Sequence, residues 1–265
     1  MDTAAFLGLE PTADPARWRL PVTPGICTGF NFLFGGAGLA AAVAALEAAT
    51  ERPLVWATAQ YLSFVRPPSV MELEVVELVT GKQVTQARVV ARADGQEILT
   101  VTAALGSREV ELSGTWMARP DVPPPEDCPT RVNFRGAPIG IGARLDSRLA
   151  EGRAVDDLDG TPGSGRTRLW VRVLDGIDMS AATVAILGDH VPFGINQSLG
   201  LPAGGNSLDN TVRIVRIVPT DWVLLDVQIH AIANGFAHGH LDMWAEDGTL
   251  LATASQSAMV RFWKD

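Results

Sequence analysis

Residues 32–50, FLFGGAGLAAAVAALEAAT, are apolar on nearly every side of a 3.6-residue period once Gly35 and Gly36 have opened the run. A helix with that pattern is buried on most sides, and its small side chains admit a close neighbour. Four segments follow in which apolar and polar residues alternate: PLVWATAQYLSFV, VMELEVVELV, VTQARVVARA and EILTVTAALGS. Their period of two predicts strands, separated by the turn signals Arg66-Pro67-Pro68, Gly81-Lys82 and Asp94-Gly95.

The same order then returns. SAATVAILGDH (residues 180–190) predicts a shorter helix, and NSLDNTVRIVRIV, WVLLDVQIHAIA, FAHGHLDMWAE and TLLATASQSAMVRF predict four more strands. The closing hairpins match best: Asp94-Gly95 and Asp247-Gly248 stand 153 residues apart, about a domain length, which makes a tandem duplication the economical reading. Between the copies lies GTWMARPDVPPPEDCPT, too rich in proline for the interior of a helix or strand and expected to be an extended linker. A glycine-rich piece, DDLDGTPGSGRT, precedes the strand RLWVRVLDG that should open the second copy. The fold expected is α+β, a double hotdog: two tandem hotdog domains, residues 1–107 and 148–265, each a central helix wrapped by a curved antiparallel sheet, joined by a linker over 108–147. On period alone, a pair of unrelated α+β domains is the alternative.

Against this apolar background a few polar residues stand out. Every second residue from Leu250 is apolar except Gln256, whose place in the first copy is held by Ala103. The fold therefore does not require an amide there, and an unpaired one would cost ~1–3 kcal/mol; it either caps a neighbouring backbone group or serves chemistry. On the second helix Ala182, Ala185, Ile186 and Asp189 form the stripe expected to face the sheet, and a carboxylate there needs a partner unless it lies past the helix end. Ser207 and Asp209 share a face where the next strand begins, after a stretch over 190–205 that is long for a connection and so a candidate binding loop. Glu47, on the stripe of the first helix with Ala40, Val43 and Ala44, is read as a helix-end surface residue in preference to a second catalytic carboxylate. His230, His238 and His240 lack a carboxylate or thiol at ligand spacing, so no metal is expected. No GxSxG elbow, P-loop or dinucleotide fingerprint occurs.

Composition narrows the classes. The 265 residues carry a formal charge of −9, with 47% hydrophobic and 19% charged residues. Without a Lys/Arg cluster, nucleic acid and anionic membrane surfaces are poor partners. Cys27 and Cys128 form neither a metal motif nor a disulfide series, which fits a reducing cytosol. The absence of a signal-type start and of any apolar run of eighteen residues leads to an expected cytoplasmic, soluble protein.

At this point the chain resembles the acyl-CoA thioesterase II family of double-hotdog enzymes. The likeness runs through Phe34-Gly35-Gly36, the YLSFVRP segment from Tyr61, the Gly81-Lys82 turn and the Asp94-Gly95 hairpin in the first half. In the second half it runs through Gly188-Asp189, Ser207-Leu208-Asp209-Asn210, Trp222-Val223-Leu224-Leu225, Asp247-Gly248 and Ala254-Ser255-Gln256. The resemblance implies an acyl-CoA substrate, no cofactor, and a catalytic trio of Asp189, Ser207 and Gln256, the polar exceptions already met. Ala37, Ala59 and Gln60 depart from the family pattern, so substrate choice is not carried over. A serine nucleophile wants a His or Lys base, and the trio offers none. The expected chemistry is a water, deprotonated by Asp189 and oriented by Ser207 and Gln256. Backbone N–H groups of Gly35 and Gly36 are expected at the oxyanion, and Arg66, Lys82, Arg213 and Arg216 are the candidates to meet CoA phosphates. A hotdog hydratase and a non-catalytic acyl-CoA binding protein are the alternatives; the hydratase would want a His a few residues after its Asp, whereas His190 follows Asp189 directly. A homo-oligomer formed through sheet edges is expected.

Overall fold

The computed structural model describes residues 1–132 and 140–263; part of the expected linker, 133–139, lies outside them. The helices are α1 (Thr3–Leu7), α2 (Gly35–Thr50), α3 (Ala181–Leu187) and α4 (Ile195–Leu199). The strands of the first half are β1 (Glu10–Pro11), β2 (Arg17–Val22), β3 (Leu54–Tyr61), β4 (Ser69–Thr80), β5 (Val84–Ala93) and β6 (Gln96–Gly106). Those of the second are β7 (Leu145–Glu151), β8 (Arg166–Val173), β9 (Ala203–Ser207), β10 (Asp209–Ile214), β11 (Val223–Ala233), β12 (Phe236–Ala245) and β13 (Leu250–Phe262). Every strand expected from periodicity is present; α1, α4, β1, β2, β7 and β9 were not foreseen, being short or too polar to alternate. β7 begins at Leu145, inside the segment expected to be linker.

The strands form one antiparallel sheet in the order β1-β2-β4-β5-β6-β3-β10-β13-β12-β11-β8-β7, with β9 paired to β13 off that path. The order mirrors itself about the β3/β10 junction. There Thr58 faces Thr211, Ala57 faces Val212 and Ala59 faces Asn210. Thr58 and Thr211 are separated by 153 residues, and their hydroxyls meet at 2.9 Å. A residue touching its own repeat counterpart lies on a local two-fold axis, and the flanking pairs interchange under it, as a duplicated chain paired edge to edge requires.

Ten of the sixteen residues of α2 are buried, and the helix lies against β2 to β6 and against α3. The second half departs from expectation. The offset of 153 places Gly188-Asp189, not the start of α3, opposite Gly35-Gly36. Against β11, β12 and β13 lies the 3-10 turn Val191–Gly194, with α4 reaching β8, while α3 packs on α2. The cause is in the composition: 188–203 contains Pro192, Pro202 and three glycines, of which Gly200 ends α4 at φ 67°. Such a stretch cannot continue as one helix. The carboxylate of Asp189 therefore does not end a sheet-facing stripe; it sits between two helices at the local axis.

Candidate active site

Ser180 caps α3 by accepting from the Thr183 N–H, and the helix closes with Gly188 N–H on the Val184 carbonyl at 2.7 Å. The next residue, Asp189, is 4% exposed and faces the first turn of α2. Its Oδ2 accepts from the Gly36 N–H at 2.7 Å, a helix-start donor at the positive end of the dipole. Its Oδ1 accepts from the Ser207 hydroxyl at 3.3 Å and from the Gln256 Nε2 amide. That same Nε2 donates to Ser207 Oγ at 3.2 Å, and Gln256 Oε1 accepts from the Val191 N–H at 3.2 Å. The Val191 bond fixes which end of the amide points where. β9 carries Ser207 beside β13, opposite Ala258, which brings it to Gln256 across one strand pair.

The three residues singled out in the sequence thus form one cluster. Burial raises the Asp189 pKa to about 6, against the pull of Gln256, Gly36 and Ser207 in the other direction. A carboxylate tuned there is mostly ionised at neutral pH, yet basic enough to take a proton from water. His190 is no rival base. Its Nδ1 donates to the Leu187 carbonyl at 2.8 Å, and burial lowers its pKa to about 4, so the ring is neutral and engaged. Asp209 holds the Ser257 N–H at 2.8 Å, an anchor between β10 and β13.

The cluster has no equivalent at the repeat-related positions. The repeat counterparts of Asp189, Ser207 and Gln256 are Gly36, Leu54 and Ala103, none of which offers acid–base chemistry. The polar trio therefore stands on one side only of the repeat relation.

A cavity of about 830 Å³ opens onto the cluster, lined by Gly35, Asp189 and Ser207 among others. Gln256 is 3% exposed and does not line it; the amide stands behind the other two and holds them. The two glycines also part company. Gly36 N–H is spent on Asp189, whereas Gly35, on the cavity wall, has an N–H without a partner among the described residues. Of the four basic candidates only Arg66 lines the cavity, its guanidinium tied to the Phe30 and Asn31 carbonyls at 2.9 and 3.2 Å. Lys82 lies in the β4–β5 turn, and neither it nor Arg213 or Arg216 reaches the wall. The sequence reading missed Arg131, which lines the cavity over the Phe193 ring at 4.5 Å and which burial lowers only to about 10, leaving it cationic. It also missed a row of rings on the wall. Trp263 stacks on Phe30 at 4.7 Å, Phe30 on Phe32 at 6.2 Å, and Phe32 meets Phe64 at 6.3 Å. Their spacing in the chain has no period, so only the fold assembles them.

Glu47 caps the Leu54 N–H at 2.8 Å, a structural task away from the cavity. His230 Nε2 lies 2.5 Å from His240 Nδ1, but among the described residues no three His, Cys, Asp or Glu side chains are gathered as metal ligands. Among those residues, too, no helix is long and apolar enough to cross a membrane.

The family model of the acyl-CoA thioesterase N-terminal domain matches residues 23–106, and that of the acyl-CoA thioesterase C-terminal domain matches 125–260. Among solved structures, a putative thioesterase from Novosphingobium aromaticivorans is 34% identical over 94% of this chain and 97% of that one, with a TM-score of 0.83. A conserved hot dog fold protein of unknown function from Alicyclobacillus acidocaldarius is 23% identical over 96% of each chain, with a TM-score of 0.84. An acyl-CoA thioesterase II from Mycobacterium marinum is 20% identical over 99% of each, at 0.74. No curated protein matches the sequence.

Proposed function

The chain belongs to the acyl-CoA thioesterase family, thioester hydrolases on the hotdog fold, and from that premise we propose that it hydrolyses acyl-CoA to a free acid and CoA in the cytoplasm, by attack of a water that Asp189 deprotonates. In this reading the chain is a double hotdog of domains 1–107 and 148–265, with its site on the local two-fold axis.

The observation that carries the mechanism is the asymmetry of the Asp189 contacts: two donors, Gly36 N–H and Gln256 Nε2, hold it from the protein side, while its edge beside Ser207 faces the cavity. A water on that edge is aligned by the carboxylate and by Ser207 Oγ, which converts an encounter into a near-attack geometry. Gln256 is a positioning residue. As water adds to the thioester carbon, its proton passes to Asp189 and the carbonyl π pair becomes an oxyanion facing Gly35 N–H. Collapse breaks the C–S bond, and the leaving thiolate takes the proton back from Asp189. The cationic Arg66 and Arg131 on the wall are assigned to the CoA side, where phosphate needs local positive charge on an acidic protein. Lys82 has no part in this.

The apolar, ring-lined wall takes the acyl group. Each methylene moved from water onto such a surface is worth ~0.8 kcal/mol, or roughly four-fold in kcat/KM if the gain is kept in the transition state. Acetyl-CoA is therefore the expected poorest substrate, with kcat/KM rising steeply through hexanoyl- and octanoyl-CoA and a ring-bearing acyl-CoA also accepted. Release of free thiol across that series is the test. Saturable binding with no thiol release from any member would place the protein among acyl-CoA binders instead.

A further inference from the structure

The mechanism leaves the developing oxyanion with one donor, Gly35 N–H. Beside that donor lies a group that no step has used. Tyr61, the last residue of β3, lines the cavity; its hydroxyl is buried and, among the described residues, has no hydrogen-bond partner. A Cβ placed on Gly35 would stand 3.1 Å from Tyr61 Oη and 2.7 Å from Asp189 Oδ2, so phenol and carboxylate converge on the same point at the start of α2. Asn210 lies on the same face, paired with Ala59 two residues before Tyr61. It is fully buried, and among the described residues both ends of its amide are unpaired. The amide is near enough to Tyr61 to favour the phenolate, but neither group reaches hydrogen-bond geometry.

Three unsatisfied buried polar atoms in one spot are costly, at ~1–3 kcal/mol each. The fold does not impose them: the repeat counterparts of Tyr61 and Asn210 are Ile214 and Ala57, both apolar. An orphaned donor beside Gly35, a residue of the cavity wall, is what an incoming oxygen would satisfy.

We propose that Tyr61 is a further catalytic residue, its O–H joining Gly35 N–H in donating to the thioester oxygen as that oxygen becomes negative. This rests on the hydrolytic reading of Asp189. The phenol keeps its proton throughout: burial first, then the Asp189 charge, raises its pKa well above 10. It acts as a donor and never as the base, and the proton inventory of the reaction is unchanged.

Tyr61 is the only tyrosine among the 265 residues, which makes the test selective. In thiol-release assays Tyr61→Phe is expected to lose roughly 10²-fold in kcat, the scale of one oxyanion donor, with KM within about three-fold, the rise in rate near pH 6 in place and no fall in Tm. In parallel, 3-fluorotyrosine incorporated throughout labels this residue alone in an otherwise native fold. Its fluorine resonance is expected to shift when the wild type binds an acyl-CoA ketone analogue, with CH2 for sulfur, at concentrations that inhibit turnover. A Tyr61→Phe protein with kcat within two-fold of wild type overturns the proposal, as does an inhibited enzyme whose fluorine resonance stays fixed. If Tyr61→Phe fails to fold, the fluorine result decides alone. Absence of thiol release from any acyl-CoA by the wild type overturns the hydrolytic reading itself, and is distinct from an active wild type with an equally active Tyr61→Phe.

Discussion

Asp189→Asn is expected to lower kcat by roughly 10²–10⁴-fold, the range for loss of a positioned general base, while the protein keeps its native circular dichroism. An amide cannot accept the proton of water. One of its ends would also present N–H to a site already furnished with donors, since Gln256 is prevented from flipping by its bond to Val191; some loss of Tm is therefore expected too. The wild-type pH profile gives an independent reading. With the Asp189 pKa at about 6, kcat/KM should climb as pH rises through 6 and level off above 7. Stability runs the other way. The folded carboxyl binds its proton more tightly than the unfolded one, so this residue's contribution falls as pH rises from 3.8, its ordinary value, through about 6. A rate limb centred near pH 4, or an Asp189→Asn enzyme within ten-fold of wild type, would remove Asp189 as the base.

Gly36→Ala should damage stability and activity together. In isolation the change favours a helix, alanine being up to ~1 kcal/mol better than glycine. In the folded chain the new Cβ would stand 2.7 Å from the Ile186 carbonyl oxygen, 2.7 Å from the Phe34 ring and 2.9 Å from Asp189 Cβ. A backbone carbonyl cannot swing aside, so α2 and α3 must separate, and overpacking of this kind costs ~1–3 kcal/mol or more. The second effect wins. A Tm lower by roughly 5–10 °C is expected for a chain of this size, with kcat at least about ten-fold lower because the Gly36 N–H leaves the carboxylate. Thermal melts read beside thiol release check both; an unchanged or raised Tm would mean that the α2–α3 approach is not tight.

Much of this was legible in the chain. The apolar run after Gly35-Gly36 could only be a helix enclosed on most sides, and eight alternating segments with turn residues between them could only be strands. Gln256 was conspicuous because its counterpart Ala103 proves the amide unnecessary to the fold. Less obvious was the second half's layout. Asp189 was read as the end of a helix stripe facing the sheet, whereas the helix there stops at Leu187 and the prolines and glycines after it build a turn and the short α4. That interruption was written in the composition of 188–203 but was outweighed by the apolar period of the residues before it.

What the sequence by itself determined is the central helix and the longer strands, the repeat order in which they recur, and the identity of the polar side chains that do not belong on apolar faces. Those follow from local periodicity and from comparison of one half with the other. The tertiary structure alone decided what these side chains meet: Gly36 N–H on a carboxylate 153 residues away, Gln256 behind Asp189 and not beside the substrate, Tyr61 and Asn210 left unpaired together, and Arg131 in the wall where Lys82 is not. The reason is physical. A hydrogen bond and a desolvation penalty depend on distance and burial, and neither is a property of a residue until the chain has closed around it.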